Sequence, residues 1–248
     1  MPISRRICLC SIAALLLLGA SACNASDASD DTPTYRYRLT VEVDTPAGVR
    51  SGSSVIEVEQ RLGRPMSNPG GMAINRRARG QAVMVDLPDG RTLFALLRSE
   101  DETDWASSVM QTAAPRIEGE PFEERFDNML LIDGEVELPR RWPPVAGGLE
   151  LAGWPMLVTF ADLADPTSVT LVDPDDLAAT FGEGVALRRI TVEMTDDPVT
   201  EGIEERLGWL SEVRGALVDL PVRDYPPVGT PLPLHNTLTR ADFEKEMS

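Results

Sequence analysis

The chain has 248 residues, 42% of them hydrophobic and 25% charged, with a formal net charge of −17. That length allows one large domain or two small ones with a packed core. That charge argues against general affinity for nucleic acid or bare anionic lipid, both of which need cationic surfaces.

The first elements, in chain order, form a leader. Arg5 and Arg6 are followed by 16 uncharged residues from Ile7 to Ala22, peaking at Leu15-Leu16-Leu17-Leu18. About 20 apolar residues are needed to cross a bilayer as a helix, so the segment reads as an export signal over 1–22 and not as a permanent span. Its end, Ala20-Ser21-Ala22-Cys23, resembles the lipobox of bacterial lipoprotein precursors, with Ala20 where that pattern usually has Leu. The resemblance implies cleavage after Ala22 and diacylglycerol attachment at Cys23. Stable anchoring needs two or more acyl chains, and lipoproteins of this kind carry them. The same residues fit the A-x-A pattern of ordinary signal cleavage, which would give a soluble periplasmic protein instead. Asn24, lacking the Asp that favours inner-membrane retention in enteric-type sorting, points to the outer membrane, facing the periplasm.

Cleavage would remove Cys8 and Cys10 and leave Cys23 as the sole cysteine, which rules out an intramolecular disulfide and any multi-cysteine zinc site. Loss of Arg5 and Arg6 would take the body to −19. Residues 23–33 comprise the lipid attachment site and NASDASDDTP, an acidic stretch with no large apolar residue. It reads as a flexible tether reaching about 35 Å, at about 3.5 Å per residue. Residues 34–248 read as an α+β body, with a possible sub-division near 140–150 and a Pro-rich extended tail from about 221.

Tyr35 to Asp44 alternates strictly between apolar and polar residues and predicts a strand; Thr45-Pro46-Ala47-Gly48 is turn chemistry, and Ser53 to Gln60 is the return. Arg61 to Gly80, rich in Pro and Gly, reads as a loop. Gln81 to Leu87 and Arg91 to Leu97 flank the turn Pro88-Asp89-Gly90, completing an antiparallel meander of about four strands over 35–97. The C-terminal half mixes strands and helices. Asp104 sits to cap a helix through about Ala114, ended by Pro115, and Pro121 to open a second. Met129-Leu130-Leu131-Ile132 fits either a helix end or a strand. Arg140 to Gly148 reads as a loop. Strands are expected at Met156–Phe160, Ser168–Val172 and Val185–Glu193. Asp173 is placed to cap a helix from Pro174 to about Phe181, stopped by Gly182 and Gly184. Glu201 to Glu212 puts Ile203, Leu207 and Leu210 on one helical face. Pro221 to Pro233 holds five prolines and reads as an extended wrap or tail and not a packed element, before a short helix that Thr239 could cap. Residues 156–200 resemble exported proteobacterial proteins of unknown function, a likeness that implies no activity.

No catalytic signature stands out. G-x-S-x-G is absent, Gly52-Ser53-Ser54 opens a strand and not an elbow, and the only histidine is His235, read as a surface residue. H-E-x-x-H and the phosphate-binding glycine motifs are absent too. Asp173, Asp175 and Asp176 form the densest acidic group, explained by helix capping without a metal. Four tryptophans, Trp105, Trp142, Trp154 and Trp209, together with 40 acidic residues, leave a carboxylate-based glycan hydrolase as the alternative function. The local anomaly is 61–80, where Arg61, Arg64, Arg76, Arg77 and Arg79 occur with no Asp or Glu. Such a stretch could clamp phosphate, a lipopolysaccharide headgroup or a partner's carboxylates, or pair with the protein's own acids. The expected function is therefore a non-catalytic cell-envelope lipoprotein with a binding or structural role, without cofactor or metal. It would be held to the membrane through its lipidated N-terminus and facing an envelope protein or polymer.

Overall fold

A computed structural model describes residues 32–63, 73–121, 124–144, 149–221, 223, 225–227 and 229–246. The leader, the proposed cleavage and lipidation positions at Ala22 and Cys23, most of the tether, and Arg64 lie outside these residues. Asp31–Ser248 form one compact unit.

The fold is α+β and dominated by antiparallel sheet. Strand β1 (Tyr35–Asp44) alternates between buried and half-buried residues without a break. Tyr35, Tyr37, Leu39, Val41 and Val43 point into the core, the arrangement its period-two sequence predicts. The turn at Thr45–Gly48 closes through the Gly48 amide donating to the Thr45 carbonyl and leads to β2 (Arg50–Gly63), which is longer than the sequence indicates. Next comes β3 (Ala73–Gln81), paired with β2 from Glu57↔Arg79 to Gly63↔Ala73. The expected loop over Arg61–Gly80 is thus overturned at both ends, 61–63 and 73–80. Its two flanks are strands, because the arginines that disguise the apolar alternation lie opposite Glu57 and Glu59 across the ladder.

At Ala82 the chain leaves one sheet for another. Strands β4 (Val83–Asp86) and β5 (Thr92–Ala95) pair around the expected Pro88–Gly90 turn. They belong to a four-stranded sheet, so the N-terminal meander has five strands shared between two sheets, not four in one. Gly52 makes this possible. A Cβ there would lie 1.9 Å from the Met84 carbonyl oxygen, so only glycine lets β2 cross β4 so closely.

Helix α1 (Trp105–Ala113) follows, entered at Asp104 as expected, although the Asp104 side chain makes no capping bond. The second expected helix is a 3₁₀ helix over Arg125–Leu131. Short strands β6 (Val136–Glu137), β7 (Arg141–Trp142) and β8 (Leu151–Ala152) come next, the last two pairing across part of the expected Arg140–Gly148 loop. Strands β9 (Leu157–Phe160) and β10 (Val169–Leu171) extend the second sheet. Helix α2 (Leu177–Phe181) is capped by Asp176, whose Oδ1 accepts the Ala179 amide. Asp173 instead accepts the Asp175 amide in a local turn, delaying the helix by three residues. Strand β11 (Ala186–Met194) lies beside β1. The expected Glu201–Glu212 helix is split into α3 (Ile203–Arg206) and a 3₁₀ turn at Leu210–Glu212, yet Ile203, Leu207 and Leu210 are all buried.

The Pro-rich stretch holds no α-helix or strand among its described residues, and the chain beyond it comes back to the first sheet. It returns through α4 (Arg240–Phe243) and β12 (Glu244–Lys245), so the expected last helix ends at Phe243 and the chain becomes a strand. The first sheet runs β12-β3-β2-β1-β11-β6 and the second β10-β9-β5-β4. Along β5, Leu93 and Ala95 enter the core shared with the first sheet, whereas Phe94 faces a second core with Phe160, Leu207, Leu238 and Phe243. The inner strands β5 and β9 are therefore covered on both faces, and every residue in them is buried. Phe94 and Phe160 meet edge-on at 5.5 Å, and Phe94 and Phe243 at 6.3 Å.

Candidate functional site

The outer face of the first sheet carries charges in cross-strand rows. Arg36, Glu57 and Arg79 lie opposite one another on β1, β2 and β3. Arg36 Nε donates to Glu57 at 2.7 Å, and Arg79 reaches Glu57 at 4.0 Å and Glu201 at 2.5 Å. Arg38 binds Glu193 and Asp197. Arg189 holds Glu42 through both its Nε and a terminal nitrogen, and its other terminal nitrogen reaches Glu135. This hydrogen bonding depresses the Glu42 carboxyl below its usual value despite the opposing effect of burial, and raises the Arg189 guanidinium. Arg61 pairs with Glu59. Cations here are matched by the protein's own acids.

The edge of the same sheet differs. Beyond β12, an open groove of about 690 Å³ runs beside β3. Its β3 side presents Arg76, Arg77 and Ala78; Thr103 and Asp104 come from the entry to α1, and Arg214, Arg240, Glu244, Lys245 and Glu246 complete its rim. Arg240 is balanced by Glu204, Glu244 and Glu246, and the Glu244 hydrogen bond raises its guanidinium further. Lys245 Nζ donates to Asp104 Oδ1 at 2.9 Å, tying α1 to β12.

Arg76 and Arg214 make no ion pair within 4.0 Å among the described residues. The Arg76 Nε donates to Gln60 Oε1 at 3.1 Å and its guanidinium stacks over Phe126 at 5.7 Å. Burial lowers its proton affinity, opposed by nearby Tyr35 and Glu102, but an arginine stays charged. Burial in turn raises the Tyr35 hydroxyl, against the pull of Arg76, and that hydroxyl has no hydrogen-bond partner among the described residues. Exposed Arg214 donates only to the Ser211 and Val213 carbonyls.

Of the five arginines singled out from the sequence, the four that are described are divided among different recesses. Arg76 and Arg77 reach the groove, Arg61 and Arg77 flank a shallow recess with Glu59 and Asn75, Arg79 faces a glutamate-rich recess, and Arg64 lies outside the described residues. Sequence reading missed Arg214, which precedes the tail, and Arg240 and Lys245, which the returning tail brings to β3. A lone lysine in a chain with 22 other basic residues, all arginine, was the one available hint.

The remaining candidates are accounted for locally. Ser53 and Ser54 lie within β2 opposite Thr40 and Leu39. His235 is half-buried in a 3₁₀ turn near Asp165. Asp173 and Asp176 close a turn and a cap, and no group of three or more potential metal ligands occurs among the described residues. Trp105 is buried, Trp154 and Trp209 donate to the Leu138 and Leu163 carbonyls, and Trp142 packs against the first core. All four serve packing. No protein-family model, curated protein or solved structure matches the chain.

Proposed function

We propose that the protein is a non-catalytic binding lipoprotein of the bacterial cell envelope. The chain would be acylated at Cys23 and held by its tether at the outer membrane facing the periplasm, and would use the groove beside β3 to hold an anionic partner. The leader and the lipobox-like ending support the compartment. The observation that carries the binding role is the pair Arg76 and Arg214, two guanidinium groups that make no direct ion pair among the described residues, in an open groove of a chain with 40 acidic residues. Unneutralised cations gathered in a concavity raise the local concentration of anions, and the planar guanidinium suits carboxylate and phosphate oxygens.

Two measurements test this. Cys23→Ala should release the protein from membranes and abolish acyl labelling; acylation that persists in this variant rules out the assignment. Photocrosslinking from the groove in living cells should capture an anionic component, and Arg76→Gln with Arg214→Gln should reduce that capture at least tenfold at unchanged melting temperature. Undiminished capture would remove the groove from the function.

A further inference from the structure

The chain enters the body beside an uncovered apolar pair. The Thr32 hydroxyl donates to the Gln60 carbonyl, and the Gln60 side-chain amide reaches the carbonyls of Pro33 and Phe126. One glutamine thus joins the root of the tether to the 3₁₀ helix over Arg125–Leu131. That helix turns Phe126, Asn128 and Met129 inward and leaves Leu130 and Leu131 50% and 55% exposed. Among the described residues they are the only large hydrophobic residues exposed consecutively in the chain. Leu130 shares a recess of about 380 Å³ with Thr34, Tyr35, Met194 and Asp196. The pair therefore sits at the foot of β1, where the tether begins. Val49, comparably exposed, lies past the Thr45–Gly48 turn at the far end of the same strand.

Position and charge together choose a surface for this pair. Residues 24–31 alone separate Thr32 from Cys23, so an acylated Cys23 holds this corner nearer a bilayer than the far end of β1. Two half-exposed leucines offer too little apolar area to hold a protein on a membrane unaided. A short tether changes the problem, because it makes the second contact intramolecular and raises its effective concentration. Asp127, Asp133 and Asp196 are exposed around the pair. They repel anionic headgroups within a Debye length and leave zwitterionic ones unopposed.

Resting on the proposed acylation of Cys23, we infer that Leu130 and Leu131 are the contact by which the tethered body sits on a zwitterionic lipid surface. The foot of β1 then faces the bilayer and the Thr45–Gly48 turn faces away.

The test uses the processed, acylated full chain on phosphatidylcholine vesicles, carrying an environment-sensitive fluorophore at Asp133→Cys or at Val49→Cys. With the leader removed and Cys23 acylated, each variant has one free thiol. Doxyl-labelled lipid should quench the label at 133 several-fold more than the label at 49. Leu130→Ser with Leu131→Ser should bring position 133 down to the level of position 49, and vesicles of phosphatidylglycerol should do the same. Equal quenching at the two positions, or quenching at 133 that survives both serines, in protein that floats with the vesicles overturns the contact and leaves the lipid anchor standing. Undiminished quenching on phosphatidylglycerol overturns the choice of a zwitterionic surface. Protein that carries no acyl label and does not float overturns anchor and contact together.

Discussion

The outer face and the edge of the first sheet are built from the same residue type and treat it differently. On the face, Arg36, Arg38, Arg79 and Arg189 each reach a carboxylate. At the edge, Arg76 rests on an amide and an aromatic ring, and Arg214 on two carbonyls. Cations on the face contribute to the fold through ion pairs, whereas Arg76 and Arg214 make none among the described residues. In a chain with nearly two acids for every base, leaving arginines unmatched in a concavity is the less expected arrangement.

The comparison can be broken first at the element that creates the edge. Phe243 is fully buried and precedes β12 directly. Phe243→Ala should cost about 3–5 kcal/mol from lost burial and the cavity left behind, and should unseat β12, which denaturant unfolding and hydrogen exchange at Gly80 would show. A smaller loss tests the face. Glu57 is nearly buried between Arg36 and Arg79, which are each about 40% exposed. Glu57→Ala should therefore cost only about 1 kcal/mol, because solvent screens the partners. A double-mutant cycle with Arg36→Ala would isolate their coupling.

Acid titration sharpens the same contrast. The Arg189 hydrogen bond holds Glu42 below its ordinary value of 4.5. Its contribution is then fully present above that value and lost as pH falls through the lower folded-state value. Glu42→Gln should flatten this acid limb of the stability curve, and an unchanged limb would assign it to other carboxylates. The smallest effect belongs to the edge: Arg214→Ala should change stability by less than about 0.5 kcal/mol, while weakening any anion held in the groove.

Legibility followed how far each residue's environment is set by its neighbours in sequence. β1 was readable to its ends because its apolar face is continuous and each polar position faces solvent. β3 was hidden because Arg76 occupies an inward position that its charge disguises, and because Gly80, at a φ of 145° and packed against Ile56, resembles a turn residue. The two-sheet arrangement was hidden because Gly52 and Ala82 matter for what crosses them, and strand alternation does not reveal which sheet a strand joins. Half the groove was hidden for the same reason: Arg240 and Lys245 sit in a tail whose prolines suggest detachment, and the burial of Leu238 and Phe243 depends on Phe94 and Phe160, far away in sequence. Where two local choices competed, as with Asp173 and Asp176, the sequence identified the cap chemistry but not which aspartate would use it.

The Lys245–Asp104 bond joins the last described strand to the first helix, across a groove whose floor is a third segment. The groove is thus a long-range closure that no fragment of the chain can present by itself. Whatever occupies the groove binds the finished fold and not the unfolded chain, and by mass action must stabilise the fold as a whole. Under the proposed export and anion binding, a chain delivered unfolded would withhold its affinity until the tail has docked, and occupancy would then report that folding is complete.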